Sequence, residues 1–296
     1  MNVGFVGLGN IGKPMAQRLA AAENVALAVY DVMPEPLDEL AAAGASVADS
    51  VGDLAASVDV LCVMVRDDDQ VRDVLGEVLA HVGRRTSPRP LVVAVHSTIA
   101  PGTPATLAET AARHDVLVVD APVSGGPMGA AEGTLAILVG GSEEAFAAAR
   151  PALSVLGSKV IHAGPVGAGT QFKLARNLMH FVAFTAATEA QRLAEAAGLD
   201  LVALGDVVRH TDAITGGPGA IMHRDSAATL DPDDFWHGVF SHVRALGEKD
   251  LRFATELADQ LGVDVPLARL ALDRLGPGLG LSDSPPRHAS HHQEQS

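Results

Sequence analysis

Asn2-Val3-Gly4-Phe5-Val6-Gly7-Leu8-Gly9-Asn10-Ile11-Gly12 opens the chain and decides its fold. Residues 2–7 read as a buried strand, and from Gly12 to about Ala22 apolar positions recur at helical spacing. A strand that turns through G-x-G-x-x-G into a helix is the context in which that motif binds a dinucleotide. Gly7 permits the tight turn, Gly9 lets backbone approach a pyrophosphate, and Gly12 lets the helix pack close to the strand. The loop residues Leu8, Asn10 and Ile11 and the helix N-terminus offer N–H groups and a positive dipole end to the phosphates. Asp31, nineteen residues after Gly12, ends the second strand, where a carboxylate binds the adenosine ribose hydroxyls and repels a 2′-phosphate. Val32-Met33-Pro34 then supply no arginine for such a phosphate, so NAD is favoured over NADP.

The same alternation continues outward. Strands are expected at 25–30, 46–47, 60–65, 91–95, 116–120 and 135–140, with helices near 37–43, 51–57 and 69–82. Strands alternating with helices imply a mainly parallel sheet covered on both faces, a doubly wound α/β domain over residues 1–162. After Gly169 the pattern changes to nearly unbroken helix former from about 170 to 197, about 40 Å of helix and long enough to join two domains. Residues 163–277 read as an all-α C-terminal domain, with further helices near 202–210, 220–224, 234–262 and 266–274. The tail from about Gly276, assigned as 278–296, is rich in Gly, Ser, Pro, His and Gln and reads as disordered. His288, His291 and His292 there have weak metal-like spacing; a solvated tail is the favoured reading, and no metal site is expected.

Composition sets the outer limits. The chain has 296 residues, enough for two domains and a large core, and 48% of them are hydrophobic. A formal net charge of −15 argues against nucleic acid or an anionic membrane as partner, since both need clustered cations. Cys62, the single cysteine, sits in the apolar run Val60–Val65 and fits a buried residue in a reducing cytoplasm. The N-terminus lacks a basic and then apolar leader pattern, and no run approaches the ~20 apolar residues of a membrane span. The expectation is a cytoplasmic protein.

Three later segments carry candidate chemistry. Asp120-Ala121-Pro122-Val123-Ser124-Gly125-Gly126 follows a strand end, where ligands bind in open α/β sheets. Ser124, Gly125 and Gly126 offer a hydroxyl and accessible N–H groups for a carboxylate, although the loop also reads as a tight structural turn. His96-Ser97-Thr98 ends another strand on the same rim, with Ser97 and Thr98 either facing the nicotinamide ribose or capping a helix. Gly164-Pro165-Val166-Gly167-Ala168-Gly169 leads into Lys173 and Asn177, four residues apart and so on one helix face, about 6 Å apart at Cβ. A lysine desolvated beside a positive nicotinamide ring has its pKa lowered and exchanges an alcohol proton, with Asn177 fixing the lysine or the substrate oxygen. Lys249-Asp250-Leu251 is a third basic candidate, which by itself reads more readily as a surface ion pair.

Taken together, these segments resemble the β-hydroxyacid dehydrogenase family, over about residues 2–275 and in the family's motif order. The resemblance implies a substrate carboxylate at the Ser-Gly-Gly element, Lys173 as acid/base, Asn177 assisting, and Lys249 lining a closed site between two domains. It implies a cofactor set of Gly7, Leu8, Gly9, Asn10, Ile11, Gly12, Asp31, Val65, Thr98 and Lys249. A small hydroxy acid or its semialdehyde is the implied substrate, and a homodimer or homotetramer the implied assembly. Arg176 stands where many members have Asn, and His96 where a small or acidic residue is usual. The segment Phe235–Arg244 is more polar than usual, and its His237, His242 and Arg244 either read a polar substituent or form a solvated face. The alternatives are an NADPH-linked imine reductase, which generally has Asp or Tyr at the position of Lys173, and a non-catalytic nucleotide-binding protein.

Overall fold

The structure is a computed structural model and describes residues 1–85, 87–222 and 226–282. β1 (Asn2–Val6) passes through the glycine loop into α1 (Gly12–Ala20), followed by β2 (Ala26–Tyr30), α2 (Pro34–Ala42) and the short β3 (Ser46–Val47). α3 (Val51–Ser57), β4 (Val60–Val63), α4 (Asp68–His81), β5 (Leu91–Val95), α5 (Thr103–Ala112) and β6 (Val116–Asp120) continue the alternation. Then come β7 (Val123–Ser124), α6 (Gly126–Glu132), β8 (Ala136–Gly140), α7 (Glu143–Leu156) and β9 (Lys159–Gly164). The strand order is β3-β2-β1-β4-β5-β6-β8-β7, with β9 beside β8. Every pair from β3 to β6 is parallel, and the order reverses between β1 and β4, where a doubly wound sheet opens its ligand crevice.

Period-two alternation in the central strands places side chains on both faces. Val3 and Phe5 of β1, Val60 and Cys62 of β4 and Val92 and Ala94 of β5 join the cluster packed by Met15 and Leu19 of α1. Leu61 and Val63, with Leu91, Val93 and Val95, join the opposite cluster with Leu54, Val71 and Leu75. Each Val, Leu, Met or Phe side chain among them contributes about 1.5–3 kcal/mol on leaving water, which is why both faces must be covered. Cys62 is fully buried, and burial pushes its thiol up to about 12, so it acts as a small apolar residue.

β6 and β8 meet antiparallel, with Asp120 opposite Gly140, and β8 then pairs parallel with β9. The elements α5, α6, α7, β7 and β9 lie where the sequence pattern predicts none. Alanine-rich α7 carries an internal Pro151, and β9 is a half-buried edge strand, so neither shows a clean period.

From α8 (Ala168–Ala196) onward the described residues are helical or loop: α9 (Leu201–Thr215), α10 (Phe235–Leu261) and α11 (Pro266–Gly278). By compactness the chain divides into two units, Met1–Asn177 and Leu178 onward, with the division inside α8. In the second unit, Glu189 of α8 is buried and accepts the Leu267 and Ala268 N–H groups at 2.8 and 2.9 Å, capping α11. The helix expected near 220–224 does not form over the part described: Gly216 and Gly217 have positive φ and residues 217–219 make a single 3₁₀ turn. Residues 276–281, read from sequence as the start of a tail, are packed. α11 continues to Gly278, and Leu279 and Leu281 are buried against Leu230 and Phe240. Their two leucines give this stretch enough apolar surface to pack. His288, His291 and His292 lie outside the described residues, as does Arg224.

Candidate active site

At the β1/β4 reversal an open cleft of about 850 Å³ is lined by Gly7, Gly9, Asn10, Ile11 and Gly12, with Asp31 and Val65 from the ends of β2 and β4. A Cβ on Gly12 would lie 1.9 Å from the Gly7 carbonyl oxygen, and one on Gly7 would lie 2.2 Å from that of Met64. Packing within the protein therefore requires both glycines. A Cβ on Gly9 would meet no protein atom within 4 Å. The room left there faces the cleft, as it must if a pyrophosphate is to approach the backbone.

Asp31 is held ready at one end of this cleft. One carboxylate oxygen accepts the Leu8 N–H and the other the Met33 N–H, the latter at 2.8 Å. Val65 is tied to the next strand end by Ser97, whose hydroxyl accepts the Val65 N–H at 3.0 Å and donates to the Val65 carbonyl at 2.6 Å. Ser97 is thus buried and committed to the rim, whereas Thr98 is exposed. Neither caps a helix, since α5 starts after Gly102. The residues present fit a bound dinucleotide: a glycine loop, an open cleft and a carboxylate held in place at its edge.

On the same sheet rim, Ser124 closes β7, and Gly125 and Gly126 have φ of +136° and +64°. A side chain would strain both, and a Cβ on Gly125 would press on Leu135 at 3.0 Å. Lys173 stands one turn into α8, only 8% exposed. Among the described residues its Nζ has neither an ion pair nor a hydrogen bond. Burial lowers its pKa below the ordinary lysine range, and the neighbouring Arg176 charge lowers it further. Asn177 is half-buried, with Oδ1 accepting the Arg176 Nη1 at 3.3 Å.

Comparison with known proteins places this geometry. Residues 2–164 match the model for the NAD binding domain of 6-phosphogluconate dehydrogenase. Residues 167–275 match that for NAD-binding of NADP-dependent 3-hydroxyisobutyrate dehydrogenase. The chain belongs to the β-hydroxyacid dehydrogenase family. It is an NAD(P)-dependent hydroxyacid dehydrogenase. A crystal structure described as an oxidoreductase from Mycobacterium avium is 50% identical, covers 94% of this chain and 98% of that one, and superposes with a TM-score of 0.89. The NAD-dependent L-serine dehydrogenase of Pseudomonas aeruginosa is 34% identical over 91% of this chain and 89% of its own length. A solved structure of Mycobacterium tuberculosis 3-hydroxyisobutyrate dehydrogenase with L-serine is 33% identical, with a TM-score of 0.64 and coverage of 93% and 92%.

Several residues of this β-hydroxyacid dehydrogenase that the sequence left ambiguous have definite surroundings. Arg176 turns toward Asn177 and so lies beside the lysine rather than away from it. His96 is buried, its Nδ1 bonded to the Ala121 carbonyl at 2.8 Å, and burial pushes its ring down to about 4, so it is neutral. It braces the start of the Ser124 loop. Arg244 pairs with Glu248 at 2.6 Å, and a Cβ on Gly276 would lie 2.4 Å from its guanidinium carbon. It is therefore packed within its own unit. Lys249 lies on α10 of the second unit, half-exposed, with Nζ 3.0 Å from Asp250. His237 is half-buried and His242 exposed. Among the described residues no group of three or more His, Cys, Asp or Glu could hold a metal, and no helix is long and apolar enough to cross a membrane.

The sequence reading missed Asp120 as a site residue. Its carboxylate is 1% exposed and accepts the Gly167 N–H at 2.7 Å and the Thr170 N–H at 2.6 Å. Those partners lie 47 and 50 residues along the chain, beyond any local pattern. Arg66, Asp73 and Glu77, which line the dinucleotide cleft, were missed for the same reason.

Proposed function

We propose that this enzyme is NAD-dependent and transfers hydride between the nicotinamide and a small 3-hydroxy acid of the 3-hydroxyisobutyrate type, or the matching semialdehyde. Lys173 serves as the general acid/base. The observation that carries the reading is Lys173 itself: a buried amine with no counterion among the described residues, its pKa lowered, and Asn177 on the same helix face. An isolated buried lysine is costly as a structural element, since its charged form loses water without gaining a partner.

The roles divide as follows. Gly7, Leu8, Gly9, Asn10, Ile11 and Gly12 hold the pyrophosphate, Asp31 the adenosine ribose, and Val65 and Thr98 the nicotinamide half. Lys249 completes the cofactor set as the family pattern implies. Ser124, Gly125 and Gly126 receive the substrate carboxylate. In oxidation, neutral Lys173 takes the substrate's hydroxyl proton at Nζ, and Asn177 hydrogen-bonds the lysine or the substrate oxygen; in reduction the protonated lysine returns that proton. The dinucleotide supplies the hydride acceptor or donor. Asp31 and the absence of an arginine in Val32-Met33-Pro34 support NAD rather than NADP. A relative named as an NAD-dependent L-serine dehydrogenase supports the cofactor and the scale of the substrate.

The test is reduction of NAD⁺ and NADP⁺ across 3-hydroxyisobutyrate, 3-hydroxypropionate, glycerate, serine, threonine and 4-hydroxybutyrate. NAD⁺-linked turnover on a 3-hydroxy acid is the expected result. Tight NADH binding without turnover on any of them would sink the substrate assignment.

The same reading includes a homodimer or homotetramer. α9 buries none of its residues, and Val202 and Ile214 are each 72% exposed, a large apolar cost for an isolated chain. Light scattering on the purified enzyme should give a mass of two or four chains; a mass of one chain would remove the assembly.

A further inference from the structure

We propose that Asp120 is a positioning residue for the acid/base lysine: its buried carboxylate fixes the start of α8, and with it Lys173, against the strand end that carries the Ser124 loop. The inference rests on the reading of Lys173 given above.

The other capped helices, apart from α11 with its distant Glu189, show what is unusual here. Ser50, Asp67, Ser142, Asp200 and Asp234 each cap the helix that follows them directly in sequence. Such a local cap starts a helix without locating it in the fold. α8 is capped instead by a side chain from β6, so the bond that starts the helix also sets its position. Both oxygens of Asp120 are used, by Gly167 and Thr170, and among the described residues no cation pairs with it. The partial positive charge of the helix N-terminus and two charge-assisted N–H bonds are what offset the burial of the carboxylate.

The surrounding backbone leaves little slack. A Cβ on Gly140 would lie 2.4 Å from Asp120 Oδ1 and 2.8 Å from the Gly169 nitrogen. A Cβ on Gly169 would lie 2.1 Å from the Leu138 carbonyl oxygen. β8 and the helix start therefore touch backbone to backbone. On the other side, Ala121 is held by His96, and Ser124 follows three residues later. Lys173 lies three residues beyond Thr170, a rise of about 4.5 Å, so a shift of the helix start passes directly to Nζ. Asp120 thereby fixes the spacing between the proposed carboxylate loop and the proposed proton-transfer group. It is not among the residues lining the dinucleotide cleft.

Asp120→Asn keeps the shape but turns one acceptor into a donor facing an N–H group. A misplacement of about 1 Å costs on the order of 10²-fold, so kcat should fall by roughly that factor. The NADH dissociation constant should not change, and amide exchange over residues 167–172 should accelerate. In a Lys173→Ala background, the added Asp120→Asn should cause no further loss, because the lysine it positions is gone. Equal losses in both backgrounds would mark independent sites and overturn the inference. If Asp120→Asn does not fold, Gly140→Ala applies the test by pressing on the carboxylate and helix start, and wild-type kcat in that variant overturns the inference too. Lys173→Ala with full turnover would remove the lysine reading and this inference together. An inactive Lys173→Ala alongside an unimpaired Asp120→Asn would remove this inference alone.

Discussion

Lys173→Ala is expected to lower kcat by about 10²–10⁴-fold, the usual worth of a positioned general acid/base, while NADH still binds. The dinucleotide cleft is built from the β1, β2 and β4 ends and the α1 N-terminus, so removing a side chain on α8 leaves its lining intact. Steady-state rates and an NADH fluorescence titration separate the two effects. The wild-type pH profile carries a second signature of the same residue. Burial first, and Arg176 second, lower the Lys173 pKa. Alcohol oxidation needs the neutral amine, so its rate should rise with pH and reach half-maximum below the ordinary lysine range. Aldehyde reduction needs the protonated form and should decline through the same interval. Arg176→Asn removes a neighbouring positive charge, so both half-points should move to higher pH. Half-points unmoved by that change, or a Lys173→Ala enzyme with wild-type kcat, would assign the proton transfer to another group.

Asp31→Ser should be the second large effect, and it falls on the cofactor. The carboxylate is anchored by the Leu8 and Met33 N–H groups and faces the cleft. Hydrogen bonds to a charged group contribute about 1.5–3 kcal/mol, so kcat/KM with NAD⁺ should fall roughly ten- to hundredfold. Turnover with NADP⁺ should rise over the same change, because the repulsion between Asp31 and a 2′-phosphate is gone. The measurement is the ratio of kcat/KM for the two cofactors in wild type and variant. An unchanged ratio would mean that discrimination lies elsewhere, with Arg66 on the same cleft the first residue to examine.

The parts of this enzyme that were legible in sequence are those governed by short-range periodicity. Val60–Val63 and Leu91–Val95 are continuous apolar runs buried on both faces, and such runs alternating with helical stretches identify a parallel sheet without a structure. The glycine loop was legible because Gly7 and Gly12 satisfy steric demands made by backbone only a few residues away or on the next strand. That Lys173 and Asn177 share one helix face follows from helix geometry alone. Other features were not. Arg244, read as facing either a substrate or solvent, packs on Gly276 and pairs with Glu248; only the fold of α10 on α11 brings Gly276 to it. Leu279 and Leu281 look like part of a polar tail until Leu230 and Phe240 are seen to cover them.

The sequence by itself thus determined the Rossmann-type architecture, the glycine loop with Asp31 after the second strand, and the family to which the chain belongs. All three are written in local spacing, where neighbours along the chain are neighbours in space. The tertiary structure decided the surroundings of the key charges: that Lys173 is buried with no counterion among the described residues, that Arg176 turns toward Asn177, and that Asp120 holds the start of α8. Desolvation and hydrogen bonding depend on groups that only folding brings together, for Asp120 from 47 and 50 residues away, and no local pattern records them.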